Sequence, residues 1–126
     1  MKDPTRKPTD AELGILRVLW FRGPSTVRQV AEALGREAGY TTVLKLLQIM
    51  TEKRLVVRDE AERTHVYEAA YTQDQTQRQL VTDLLDRVFD GSAAQLVLQA
   101  LATNKTSPEE LDEIRKLLAT KSGGSR

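Results

Sequence analysis

The chain has no cysteine, a single histidine, a single tryptophan and only two phenylalanines among its 126 residues. Without cysteine there is no disulfide framework, no thiolate zinc site and no sulfur nucleophile, which suits a reducing compartment. His65, the lone histidine, has only scattered carboxylates for metal partners, and no serine or aspartate stands at a spacing that suggests a triad. A glycine-rich phosphate loop and an H-E-x-x-H pair are also missing. The paired acids Asp59-Glu60 and Glu109-Glu110 fall in a loop and at a helix start, where structure alone explains them. These absences exclude the familiar enzyme classes and imply neither a cofactor nor a metal. Long apolar runs are missing too: none approaches the roughly 20 residues of a membrane span. Met1 to Asp10 is polar and holds two prolines, unlike a secretory signal. A cytoplasmic protein without direct membrane binding is expected.

Charge of one sign is equally scarce. The net charge is +1. Residues 1–70 hold 12 Lys+Arg against 10 Asp+Glu, and residues 71–126 hold 7 against 8. A nucleic-acid binder often shows a clearer basic excess, so only the placement of the charges is informative. Hydrophobic residues at 40% and charged ones at 29% are ordinary for a globular chain. A chain this short buries only part of its apolar surface, which a second subunit would help to complete.

What is present is a clear order of elements. Thr9 and Glu12 have capping-box spacing at the head of a helix over about 10–21, whose apolar face is Leu13, Leu16 and Trp20 with Ile15 and Leu19 beside them. Gly23-Pro24 stops it, and Ser25 or Thr26 can cap a second helix carrying Val27, Val30, Ala31 and Leu34 at i, i+3, i+4, i+7 spacing. Gly35 closes that helix. The third runs from about Tyr40 to Lys53, with Val43, Leu46, Leu47 and Met50 facing the core. Two β-rich runs follow, Leu55 to Arg58 and Thr64 to Glu68, separated by a charged stretch that reads as a hairpin loop. Three helices and a hairpin in this order describe a winged helix-turn-helix.

From Gln73 the pattern is helical again. Leu80, Leu84 and Val88 stripe a helix over about 74–89, which Asp90-Gly91-Ser92 breaks. A very apolar helix holds Leu96, Val97 and Leu101. Ser107 caps a third, with Pro108 at its first position and Leu111, Ile114, Leu117 and Leu118 along its face. The fold class expected is therefore mostly α, a winged helix-turn-helix followed by a three-helix dimerisation tail. The expected divisions are a flexible arm at 1–8, a DNA-binding domain at 9–72, a dimerisation domain at 73–120 and a disordered end at 121–126. The tail carries more leucines than three helices bury among themselves, and each one covered contributes about 1.5–3 kcal/mol. A homodimer is expected through Leu80, Leu84, Val88, Leu96, Val97, Leu101, Leu111, Ile114 and Leu118. A two-fold protein also matches the symmetry of an operator.

With Val43 at 0° and about 100° per residue, Thr41, Lys45, Gln48 and Glu52 lie opposite the core face, flanked by Thr42 and Ile49. A helix in the major groove presents its N-terminal half to base edges. Threonine can touch a thymine methyl, lysine can reach guanine or phosphate, and glutamine can pair with adenine. Thr41, Thr42, Lys45 and Gln48 are the candidate base readers. Ser25, Thr26 and Arg28 at the start of the second helix, and Arg63, Thr64 and His65 at the wing, are candidates for the backbone of double-stranded DNA.

Several segments resemble the BlaI/MecI penicillinase-repressor family, which includes CopY-type copper-responsive members. They are Pro8 to Leu13 leading to Val18-Leu19-Trp20, Gly23 to Arg28, Gly39 to Leu44 with Leu46-Leu47, Met50 and Glu52-Lys53, then His65-Val66-Tyr67 and Phe89 to Ser92. The likeness covers about residues 8–118 in the family's order and spacing. It implies a homodimer that binds an inverted repeat and represses resistance or stress genes. It also implies groove contacts at Thr41, Thr42 and Lys45 and wing contacts at Arg63 to His65. Ile49 stands where many relatives carry arginine. The Asn-Phe bond at which a membrane-bound sensor protease cuts penicillinase-type members corresponds here to Gln99-Ala100, and the cysteines of the copper sensors are absent. The rival reading is a winged helix that binds protein rather than a specific DNA sequence.

Overall fold

The computed structural model describes residues 7–35 and 38–124, with side chains through residue 121. Elements follow in the order α1 (Asp10–Arg22), β1 (Ser25–Thr26), α2 (Val27–Leu34), α3 (Tyr40–Glu52), β2 (Val56–Asp59), β3 (Val66–Ala69), α4 (Gln73–Val88), α5 (Ala93–Thr103) and α6 (Pro108–Gly124). The chain divides into two compact units, Met1–Val81 and Thr82–Arg126, with the division inside α4.

In the first unit, local chemistry sets the helix starts. The Thr9 amide donates to Glu12 Oε1 at 2.9 Å and the Glu12 amide to Thr9 Oγ1 at 3.2 Å. Thr26 and Gln29 repeat this reciprocal pair at α2, as do Thr72 and Gln75 at α4. Helix α1 stops at Gly23, whose φ of 88° costs a glycine little, while its amide donates to the Leu19 carbonyl at 2.8 Å. The end of α3 is a Schellman motif. The Leu55 amide reaches the Met50 carbonyl at 2.9 Å and the Arg54 amide the Thr51 carbonyl at 3.1 Å. That motif needs a left-handed residue, and Arg54 supplies it at φ 67° in place of the usual glycine.

The core is Ile15, Leu16 and Leu19 of α1, Val27 and Val30 of α2, Val43, Leu47 and Met50 of α3, and Leu55, Val56 and Tyr67 of the sheet. Leu46, expected to face inward, is half-buried at the edge. The sheet has order β1-β3-β2 and is antiparallel throughout. The hairpin register sets Val56 opposite Ala69 and Asp59 opposite Val66. The third strand, β1, lies outside the sequence pattern: it is two residues long, and its pairing of Ser25 with Tyr67 comes from 42 positions away. Thr64 and His65, read above as strand, belong to the loop, since Asp59 ends β2 and folds an Asx turn onto the Ala61 amide at 2.9 Å.

One charged group is enclosed among the described residues of this unit. The Glu12 side chain is 3% exposed and accepts from Lys53 Nζ at 2.8 and 3.1 Å, which ties the start of α1 to the end of α3. The Trp20 indole donates to the Tyr71 carbonyl at 2.9 Å and fastens the segment after β3 to α1.

In the second unit Asp90 and Gly91 turn with positive φ, and Ser92 caps α5 by accepting from the Gln95 amide at 3.1 Å. Ser107 and Glu110 form a capping box at α6. Lys121 to Gly124, expected to lack structure, continue α6 because no proline or capping glycine intervenes before Gly123. Ser125, Arg126 and Met1 to Arg6 of the expected arm lie outside the described residues. None of the described side chains in this unit is buried. No helix among the described residues is long and apolar enough to cross a membrane.

Candidate nucleic-acid interface

Helix α3 presents two different faces. Val43, Leu47 and Met50 are fully buried, which fixes its rotation about its own axis. Thr41, Thr42, Lys45 and Gln48 are thereby all exposed, and they share the first three turns. Ile49 is exposed on the same outward side, an apolar residue suited to a methyl group rather than a phosphate. The α3 start has Gly39 at the cap and no side chain bonded to the first amides.

At the start of α2 the expected residues separate. Ser25 is 1% exposed and its hydroxyl donates to the Gly23 carbonyl at 2.9 Å. Both facts remove it from the surface: it is a structural residue that joins α1 to β1. Thr26 is half-buried, its Oγ1 occupied by the Gln29 amide. Arg28 is exposed, with its guanidinium carbon 5.9 Å from the centroid of the Tyr40 ring. Tyr40, the first residue of α3 and itself exposed, was not among the residues singled out above. Its signal was an aromatic at a helix start, where burial offers no reason for one.

Arg63, Thr64 and His65 are all exposed in the loop between β2 and β3. Their surroundings are acidic: Glu60 and Glu62 share that loop, and Asp59 ends the strand before it. Arg58, on β2, does not offset them. Its guanidinium is held above its ordinary pKa by the hydrogen bond to Tyr67, which stands opposite it in the sheet, and next by Glu60, whose carboxylate it meets at 2.7 Å. The basic groups of the wing are therefore opposed by neighbouring acids.

The order of helices and the three-stranded antiparallel sheet are those of a winged helix-turn-helix, with a polar face of α3 turned outward. The penicillinase repressor family matches residues 8–120. The chain belongs to the penicillinase repressor family. It is 34% identical over 118 residues to the transcriptional regulator BlaI of Mycobacterium tuberculosis strain CDC 1551, covering 91% of this chain and 85% of that protein. The same values hold for BlaI of strain H37Rv. As a penicillinase repressor family member, the chain is a transcriptional regulator and not an enzyme.

The tail residues expected to join two copies are placed as follows. Leu84, Val88, Val97, Leu101 and Leu118 are exposed, while Leu80, Leu96, Leu111 and Ile114 are half-buried. Val81, Leu98 and Leu117, absent from the expected set, are exposed to a similar degree. Their signal was already in the sequence, since each lies on an apolar helix beside an expected residue.

Proposed function

We propose that the protein is a homodimeric repressor that binds an inverted-repeat operator through α3, with Arg63 to His65 and Arg28 at the DNA backbone. The observation that carries this reading is the outward face of α3: Thr41, Thr42, Lys45 and Gln48 exposed together on a helix whose rotation the core fixes. Lys45 supplies the charge at the middle of that face. Thr41 and Thr42 lie toward the helix start, where approach to base edges is closest. The wing adds less, because Arg63 shares its loop with Glu60 and Glu62 and follows Asp59 at the end of β2. Family membership supports control of resistance or stress genes as the biological setting. Cytoplasmic placement follows from action on DNA. Release by a membrane-bound sensor protease would need a bond other than Gln99-Ala100, since that pair lacks the Asn-Phe of penicillinase-type cleavage.

The test is binding of the full chain to a labelled fragment of its own promoter across a salt series. A dyad with half-sites about one helical turn apart is expected, with affinity falling steeply as salt rises. Lys45→Ala is expected to weaken binding and lower the salt slope by about 1 if the ammonium meets phosphate. Contact with guanine would instead remove about 1–3 kcal/mol of discrimination at one position. Absent or salt-insensitive DNA binding favours a winged helix that recognises protein.

A further inference from the structure

Arg28 is the second residue of α2 and Tyr40 the first of α3, so the 5.9 Å approach of guanidinium to ring spans the turn of the helix-turn-helix. An exposed arginine is normally held, if at all, by a carboxylate. Glu32 stands one turn along the same helix, yet Arg28 makes no ion pair among the described residues. The two kinds of partner differ in one respect that matters here. A carboxylate occupies the N–H edge and cancels the charge. An aromatic face orients the guanidinium plane and leaves both the charge and the N–H fork available for a bidentate anion.

We infer that Tyr40 is a positioning residue: its ring holds the Arg28 guanidinium, unneutralised, where a DNA backbone phosphate meets it as α3 enters the groove. This rests on the operator reading above. It adds a residue that touches no base and acts through another, and it assigns that role to the ring rather than to the hydroxyl. The residue that opens the reading helix thereby also orders the cation on the helix before it, so both helices meet the DNA in a fixed relation.

The experiment measures operator affinity and its salt slope for the full chain and four variants. Arg28→Ala is expected to bind roughly ten-fold more weakly with a slope lower by about 1. Tyr40→Leu is expected to lose about two- to five-fold, the range of an exposed cation–π contact, and to lower the slope part of the way. Tyr40→Phe keeps the ring and binds as the wild type does. The double variant Arg28→Ala/Tyr40→Leu binds no more weakly than Arg28→Ala alone. Wild-type affinity in Tyr40→Leu overturns the inference, as does a loss in Tyr40→Phe equal to that in Tyr40→Leu, or additive losses in the double variant. Thermal melts establish that the variants fold. Should Tyr40→Leu melt early, Tyr40→Gln carries the same expectation. A wild-type chain that binds no dyad overturns the operator reading itself, whereas a binding wild type with an indifferent Tyr40→Leu overturns only the positioning role.

Discussion

The two units of the chain treat their apolar residues in opposite ways. In the first, α1, α2, α3 and the sheet each contribute side chains to one enclosed core, and Ile15, Val30, Val43, Leu47 and Met50 are wholly excluded from solvent. In the second, α5 and α6 carry as rich an apolar pattern, yet none of the described residues is buried and Leu98 and Leu118 remain 59% exposed. Hydrophobic content does not explain the difference. A core closes when three or more elements cross over one another, and the end of α4 with helices of 11 and 17 residues leaves its apolar stripes uncovered. An apolar face left on such helices is a surface for association. The first unit thus closes a core of its own, and the second leaves apolar surface uncovered, as the proposed homodimer requires.

The contrast is sharpest at residue 84. Leu84→Asp places a carboxylate in both halves of the proposed interface and removes two leucines from it. Dimer affinity is expected to fall by about 4 kcal/mol or more, roughly a thousand-fold, from lost burial and charge desolvation. Sedimentation velocity reads this directly. A variant still dimeric at micromolar concentration would place Leu84 elsewhere and break the comparison.

Within the reader, Lys53→Met leaves the enclosed Glu12 carboxylate without its cation. A loss of about 3 kcal/mol is expected in denaturant unfolding of the first unit, without dependence on protein concentration. A loss that instead varied with concentration would mean the two units are not energetically separate. The smallest effect expected is a gain. Arg54→Gly relieves a left-handed arginine and should stabilise the reader by about 1 kcal/mol, read as a higher unfolding midpoint. An unchanged or lower midpoint would show that the arginine side chain makes a compensating contact.

What the sequence made legible and what it concealed follow the range of the interactions. The helix starts at Thr9, Thr26, Ser92 and Ser107 are decided by partners three residues on, so they are readable from spacing. The inward stripe of α3, and with it the outward set from Thr41 to Gln48, is readable for the same reason. Strand β1, the enclosure of Ser25 and the ion pair of Glu12 with Lys53 are not. The strand and the ion pair are each settled by a residue about 40 positions away, and a serine preceding a helix looks the same whether it faces water or the Gly23 carbonyl two residues back. The pairing of Arg28 with Tyr40 falls between these cases. Both residues lie in conspicuous segments, but their proximity depends on how α2 and α3 cross. At the other end, Ser122-Gly123-Gly124 has the composition of a loose end and is nonetheless helical, carried on by the turns before it.

Trp20 gives the molecule a spectroscopic consequence. It is the chain's sole tryptophan, it lies in the first unit, and its indole N–H is tied to the Tyr71 carbonyl. Its emission therefore reports loosening of the first unit, whereas the far-ultraviolet helical signal sums both units. Followed together during unfolding, the two signals separate wherever one half melts before the other.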